Sequence, residues 1–184
     1  LAPERRRGRW VVCHPGTHAK WVLVEEGRIV RFVTAMTGEL FAVLSRHSIL
    51  GRLMPEEEGT DAEARDAAFT DGVNAARNGS AGDLAHQIFA TRTLGLTRRL
   101  PAEALKDYLS GLLIGSELVS GLALMRDTLT FDTPLVLIGE DEPDNQVILQ
   151  TVVESLVGAR AAVAGDGLAV LASVQRERPH MILL

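Results

Sequence analysis

The chain has a single cysteine, Cys13, so no disulfide framework can close within it and no paired-cysteine metal spacing exists. It also lacks a basic balance: 19 Lys and Arg stand against 24 Asp and Glu, for a formal net charge of −5. Phosphate backbones call for a basic face, so this deficit speaks against a nucleic-acid binder. The one basic cluster, Arg5-Arg6-Arg7 with Arg9, sits beside Glu4 at the N-terminus and reads as a solvated tail. No apolar run is long and clean enough for a membrane span, because the most apolar stretch, Leu109 to Met125, is broken by Ser110, Ser116, Glu117 and Ser120. Leu1-Ala2-Pro3 gives way at once to charge, which predicts no signal peptide, and the lone cysteine fits a reducing cytoplasm. No Ser-His-Asp or metal-ligand spacing stands out. The carboxylates from Glu56 to Asp66 read as a solvated face, since nothing directs them toward one point.

What is present suffices for a folded core. At 184 residues and 46% hydrophobic content, the chain fits one domain or at most two small ones. Apolar runs at Trp10 to Cys13, Trp21 to Val24 and Ile29 to Val33, separated by short polar turns, predict a three-stranded antiparallel meander. Thr37-Gly38-Glu39 leads into Leu40, Phe41, Val43 and Leu44, a short helix with Thr37 as its cap and Glu39 in the first turn. Met54 to Gly59 has no apolar period and predicts a loop. Helices follow over Asp61 to Arg77, after a cap at Asp83 carrying Leu84, Ile88 and Phe89, and from Pro101 to Met125. The last has Leu105, Leu109, Leu112, Val119 and Leu122 on one stripe. Gly111, Gly115 and Gly121 would weaken it alone, so it reads as a buried central helix whose glycines admit a neighbouring backbone. Thr133 to Gly139 predicts a buried parallel strand, Asp144 to Leu156 an amphipathic helix, Ala161 to Ala164 a strand and Leu168 to Val174 a last helix. The class is mixed α/β.

The first turn, Pro15-Gly16-Thr17-His18, is rich in hydrogen-bond donors. Gly16 lets the backbone approach an anion, Thr17 offers a hydroxyl, and His18 and Lys20 add side-chain donors, so the turn can hold a phosphoryl group. An ordinary hairpin turn uses the same residue types. Thr37, Gly38 and Glu39 at a helix start can present N–H groups to an anionic substrate, and plain capping explains them equally. Gly165-Asp166-Gly167 reads as a tight turn.

PGTHAKW, followed by MTGELFAVL and HSIL, closely resembles the 2-dehydro-3-deoxygalactonokinase family, sugar-acid kinases of the actin-like ATPase superfold, without gaps through Leu50. The resemblance implies the C-terminal lobe of an actin-like, ribonuclease H-like kinase over residues 1–184, with the N-terminal lobe absent from this chain. It implies that Gly16, Thr17, His18, Lys20 and Gly139 meet the phosphates and adenosine of ATP, and that Thr37, Gly38 and Glu39 meet the sugar acid. It further implies Mg2+ alongside ATP and transfer to the 6-hydroxyl of 2-dehydro-3-deoxy-D-galactonate, a homo-oligomer being compatible with it, while charge and the broken apolar stretch predict no nucleic-acid or membrane partner. No residue of the chain is singled out as the base. Gly139 is followed by Glu140-Asp141-Glu142 where the superfold keeps a small residue, and those carboxylates would repel a polyphosphate they faced. A non-catalytic assembly module of the same fold is therefore the alternative expectation.

Overall fold

The computed structural model describes residues 9–57, 61–80, 82–126, 135–139, 146, 149–150, 153–154, 160–177, 179 and 181–183. The expected helix from Asp144 to Leu156, the carboxylates Glu140 to Glu142 and the Arg5-Arg6-Arg7 cluster therefore lie wholly or mostly outside the described residues. The chain divides into a sheet unit, Leu1–Ala35 with Gly121–Leu184, and a helical unit, Met36–Ser120.

The sheet unit opens with β1 (Arg9–His14), β2 (Ala19–Glu25) and β3 (Arg28–Ala35), paired antiparallel in chain order. Alternation puts Val11, Cys13, Trp21 and Leu23 on one buried face, where Cys13 faces Trp21 and Val11 faces Leu23 across the ladder. Glu26 and Gly27 both take positive φ, 47° and 76°, in the two-residue loop between the paired Glu25 and Arg28, as the right-handed twist of a tight hairpin requires. The third strand is the sheet's edge. Its Ile29, Val30 and Phe32 are exposed. The late strands β4 (Leu135–Gly139) and β5 (Arg160–Ala164) pair parallel, and β5 feeds α5 (Gly167–Glu177), whose start is capped by the Asp166 carboxylate accepting from the Ala169 N–H at 2.7 Å.

One strand goes unannounced by the periodicity: β6, Met181–Leu183, lies between β1 and β4 and pairs parallel with both, giving the order β3-β2-β1-β6-β4-β5. Met181 and Leu183 are buried. A three-residue strand carries too little alternation to be recognised locally, and only the flanking strands define it.

In the helical unit α1 (Thr37–His47), α2 (Ala62–Asn78), α3 (Leu84–Leu96) and α4 (Leu105–Arg126) are joined by 3-10 turns at Gly51–Leu53 and Ala102–Ala104. The expected central helix thus starts with a 3-10 turn after Pro101, and α4 crosses the unit boundary at Gly121. Leu105, Leu109 and Leu112 are fully buried as the stripe predicts, whereas Val119 is exposed. Gly72 and Gly111 set the α2–α4 distance. A methyl on Gly111 would stand 2.0 Å from the Phe69 carbonyl oxygen, and one on Gly72 2.2 Å from that of Tyr108. Arg65 ties the same two helices, its Nε and Nη2 reaching the Asp107 carboxylate at 3.2 Å. Burial, with a smaller push from the Asp71 charge, raises the Tyr108 phenol above its ordinary pKa.

Two caps differ from expectation. Residue Met36, not Thr37, occupies the N-cap of α1, and no side chain caps it. Asp83 does occupy the N-cap of α3, but its carboxylate accepts from the Ser80 N–H at 2.8 Å, tightening the preceding turn instead of the helix. Asp61 caps α2 in the usual way, accepting from the Ala64 N–H at 3.0 Å.

Candidate functional site

The β1–β2 turn is braced by its own hydrogen bonds. Strands pair up to His14 and Lys20, and between them Gly16 takes φ 149°, a value that L side chains rarely adopt, with nothing within 4 Å of where a Cβ would stand. His14 Nδ1–H donates to the Pro15 carbonyl at 3.0 Å. The Lys20 ammonium donates to the His18 carbonyl. That bond gives Lys20 a role in closing the turn which the sequence did not suggest, and an ammonium so engaged still has donors for a second acceptor. Pro15, Gly16, Thr17 and His18 are all exposed, so the turn stands in solvent beyond the paired ends of β1 and β2.

Sheet register brings Gly139 to the same edge. Cys13 and Ile138 both pair with Leu183, from opposite sides, so the chain leaves β1 at His14 and β4 at Gly139 on one side of the sheet. Since β6 intervenes, the two exits are about 10 Å apart, two ladder spacings. Ala164 pairs with Gly139, which adds the Gly165-Asp166-Gly167 turn to that edge. These are the carboxyl ends of parallel strands, the side where open α/β sheets bind ligands. Asp166 is engaged in capping α5, which accounts for the late turn without a ligand.

Thr37, Gly38 and Glu39 belong to the helical unit, as the first turn of α1, and are half-buried. The first intrahelical bond of that turn runs from the Leu40 N–H to the Met36 carbonyl at 2.8 Å. The N–H groups before it lie at the positive end of the helix dipole, where a carboxylate or phosphate is favoured. At the other end of α1, Ser48 closes the helix: its hydroxyl donates to the Leu44 carbonyl at 2.5 Å and accepts from the Leu50 N–H at 3.1 Å. The HSIL segment is thus helix termination.

The helical unit also contains a cavity of about 740 Å³, bordered by Phe41, Arg46, Glu56, Arg65, Lys106 and Asp107 among others. Sequence reasoning missed it, because its walls come from separated stretches around residues 41–56, 65 and 103–110 that form no motif. Among the described residues no group of three or more His, Cys, Asp or Glu gathers as a metal site.

The family model described as 2-keto-3-deoxy-galactonokinase matches residues 1–168. A protein of Rhizobium meliloti (strain 1021) named "Probable 2-dehydro-3-deoxygalactonokinase DgoK1" is 41% identical over 117 residues, 63% of this chain and 37% of that protein. The 2-dehydro-3-deoxygalactonokinase of Escherichia coli (strain K12) is 38% identical over 125 residues, 67% of this chain and 39% of the relative. The matched stretch is thus about two-fifths of the length of either relative. A crystal structure of a 2-dehydro-3-deoxygalactonokinase candidate from Sinorhizobium meliloti superposes with a TM-score of 0.65 at 29% identity, covering 94% of this chain and 55% of that one. With a family match over nearly its whole length and relatives of the same name, this chain belongs to the 2-keto-3-deoxy-galactonokinase family.

Proposed function

We propose that this chain forms the second, phosphate-binding lobe of an actin-like sugar-acid kinase, which moves the γ-phosphoryl of ATP to the 6-hydroxyl of 2-dehydro-3-deoxy-D-galactonate in cytoplasmic galactonate breakdown. The observation that carries this reading is the exposed, donor-rich β1–β2 turn opening on the same sheet edge as Gly139, in a chain with this family membership. Phosphoryl transfer asks a protein for positioning and charge stabilisation more than for covalent chemistry. In this reading the backbone around Gly16 and the Thr17 hydroxyl donate to phosphate oxygens, and His18 adds a donor. Lys20 keeps the turn in shape and offers positive charge. Gly139, without a side chain, leaves room for adenosine beside the sheet edge. The first-turn N–H groups of Thr37, Gly38 and Glu39 receive the carboxylate of the sugar acid. Mg2+ enters with ATP as part of the substrate. The turn's own donors are neutral or cationic and suit phosphate oxygens, not a hard cation, so no step is assigned to protein-held metal.

The test is a titration of the chain with MgATP followed by amide NMR shifts. Saturable shifts at Gly16, Thr17 and His18 are expected, and Thr17→Val should weaken binding by about ten- to hundredfold, the worth of one hydrogen bond to a charged group. Valine keeps the β-branched shape, so the melting temperature should hold. Shifts absent from the turn, or a variant that lowers the melting temperature and leaves ATP affinity alone, would reduce the turn to a hairpin closure.

A further inference from the structure

We propose that the cavity in the helical unit is a binding site for a small polyhydroxy carboxylate, separate from the first turn of α1. Its lining is polar and mixed in charge. Arg65 and Asp107 neutralise each other at 3.2 Å, which leaves Arg46 and Lys106 as cations and Glu56 and Glu103 as carboxylates. Lys106 spends one donor on the Glu56 carbonyl at 3.2 Å, and Arg46, exposed in the last turn of α1, has no ion pair among the described residues.

That charge arrangement selects a ligand class. A densely anionic ligand such as a polyphosphate would be opposed by Glu56 and Glu103. An apolar ligand would take water from four charged groups and return no hydrogen bonds. A molecule with one carboxylate and several hydroxyls meets both halves: Arg46 and Lys106 donate to the carboxylate, and Glu56 and Glu103, acceptors when ionised, take its hydroxyl hydrogens. Ser110 adds a hydroxyl, while Phe41 and Met54 offer apolar wall to the carbon chain. The volume lies within the range of roughly 300–1,000 Å³ usual for small-molecule pockets. Phe41 brings the cavity wall within two residues of Glu39, but Arg46 stands about 10 Å along α1 from Glu39, seven residues at 1.5 Å rise, so one carboxylate cannot be held by the first-turn N–H groups and by the Arg46 end of the cavity at once. The occupant of the cavity is therefore a second molecule, an effector of the same chemical class as the substrate proposed above. The site stands on its own charges and does not depend on ATP binding at the β1–β2 turn.

D-galactonate, a stable sugar acid, serves as the probe in an amide NMR titration of the 184-residue chain. Saturable shifts at Ser45, Arg46, Lys106 and Ser110 in the millimolar range are expected, weakened about tenfold or more by Arg46→Ala, the worth of a charged hydrogen bond. Arg46 and Glu103 are exposed, so Arg46→Ala and Glu103→Gln should keep the melting temperature; if Arg46→Ala lowers it, Lys106→Gln is measured in its place. Inorganic phosphate is the second probe. Equal affinity for phosphate, shifts confined to Thr37, Gly38 and Glu39, Glu103→Gln without effect on galactonate, or no saturable shift at all would each overturn the proposal. The MgATP titration reads the β1–β2 turn separately, so either result can fail without the other.

Discussion

Glycine serves opposite ends in the two units. In the sheet unit Gly16 takes a positive φ and faces empty space, so what the missing side chain provides is backbone conformation and access for something outside the protein. In the helical unit Gly72, Gly111 and Gly115 have helical geometry and no space at all, and the missing side chain provides contact between helices. The contrast extends to the rest of each unit. Polar donors gather on exposed turns at the edge of the sheet, while the helical unit joins small residues, Ala68, Ala76 and Ala104, to Tyr108 and Leu112 in a close-packed seam. Stability is thus expected to depend most on α2 and α4, and ligand chemistry on positions where a substitution costs the fold little.

The sharpest way to break that contrast is at Leu112, which is 0% exposed in the seam. Leu112→Ala removes most of a buried side chain from a cluster it forms with Ala68, Ala76, Ala104 and Tyr108. A loss of about 2–5 kcal/mol in chemical denaturation is expected. A loss within roughly 0.5 kcal/mol, the range of ordinary surface positions, would mean that α4 does not anchor the unit.

Next comes the same substitution at two glycines. Gly111→Ala puts a methyl 2.0 Å from the Phe69 carbonyl oxygen, a backbone atom that can move only if α2 moves, and should cost about 1–3 kcal/mol or more as overpacking. Gly16→Ala meets no atom and should cost only the backbone strain of its positive φ, on the order of 1 kcal/mol. Denaturation of both variants, with MgATP binding measured alongside, separates the cases. Gly111→Ala should change stability and leave the turn's affinity intact, and Gly16→Ala should lower affinity by more than its stability loss accounts for. Equal stability losses with unchanged binding would erase the distinction between the units.

Much of this was legible from sequence where a local rule acts alone. The apolar runs Trp10 to Cys13, Trp21 to Val24 and Ile29 to Val33 marked the meander, although not which face is buried, and the spacing of Leu105, Leu109 and Leu112 marked a helix face, because burial on one side of a helix leaves a period that survives in the chain. The glycines of α4 could be read as contacts since nothing else excuses them in a buried helix. What escaped was set by partners distant in sequence. Three residues at Met181–Leu183 become a strand only because β1 and β4 flank them. Met36 displaces Thr37 at the α1 cap, and Asp83 turns its carboxylate back to Ser80, since a capping residue has competing donors on either side. Lys20 bonds the turn's own carbonyl, a contact that residue type alone cannot distinguish from a ligand contact. The cavity's charges, spread from Arg46 to Asp107, form no pattern until α1, α2 and α4 pack.

The smallest expected effect has the opposite sign, and it compares one substitution in both units. Thr91, in α3, is 1% exposed, and its hydroxyl oxygen has no hydrogen-bond partner among the described residues. An unsatisfied buried hydroxyl costs free energy that an apolar group of the same shape does not. Valine keeps the volume and β-branching, so Thr91→Val should raise stability by roughly 1 kcal/mol, seen as about 2–4 °C in the melting temperature of a chain this size. MgATP affinity should stay where it was. Thr17→Val is its mirror image, because that hydroxyl is exposed at the turn: stability should move by less than about 0.5 kcal/mol while affinity drops. A Thr91→Val variant that loses stability would show that the hydroxyl has a partner, such as a buried water, and that polar satisfaction rather than close packing governs the middle of α3.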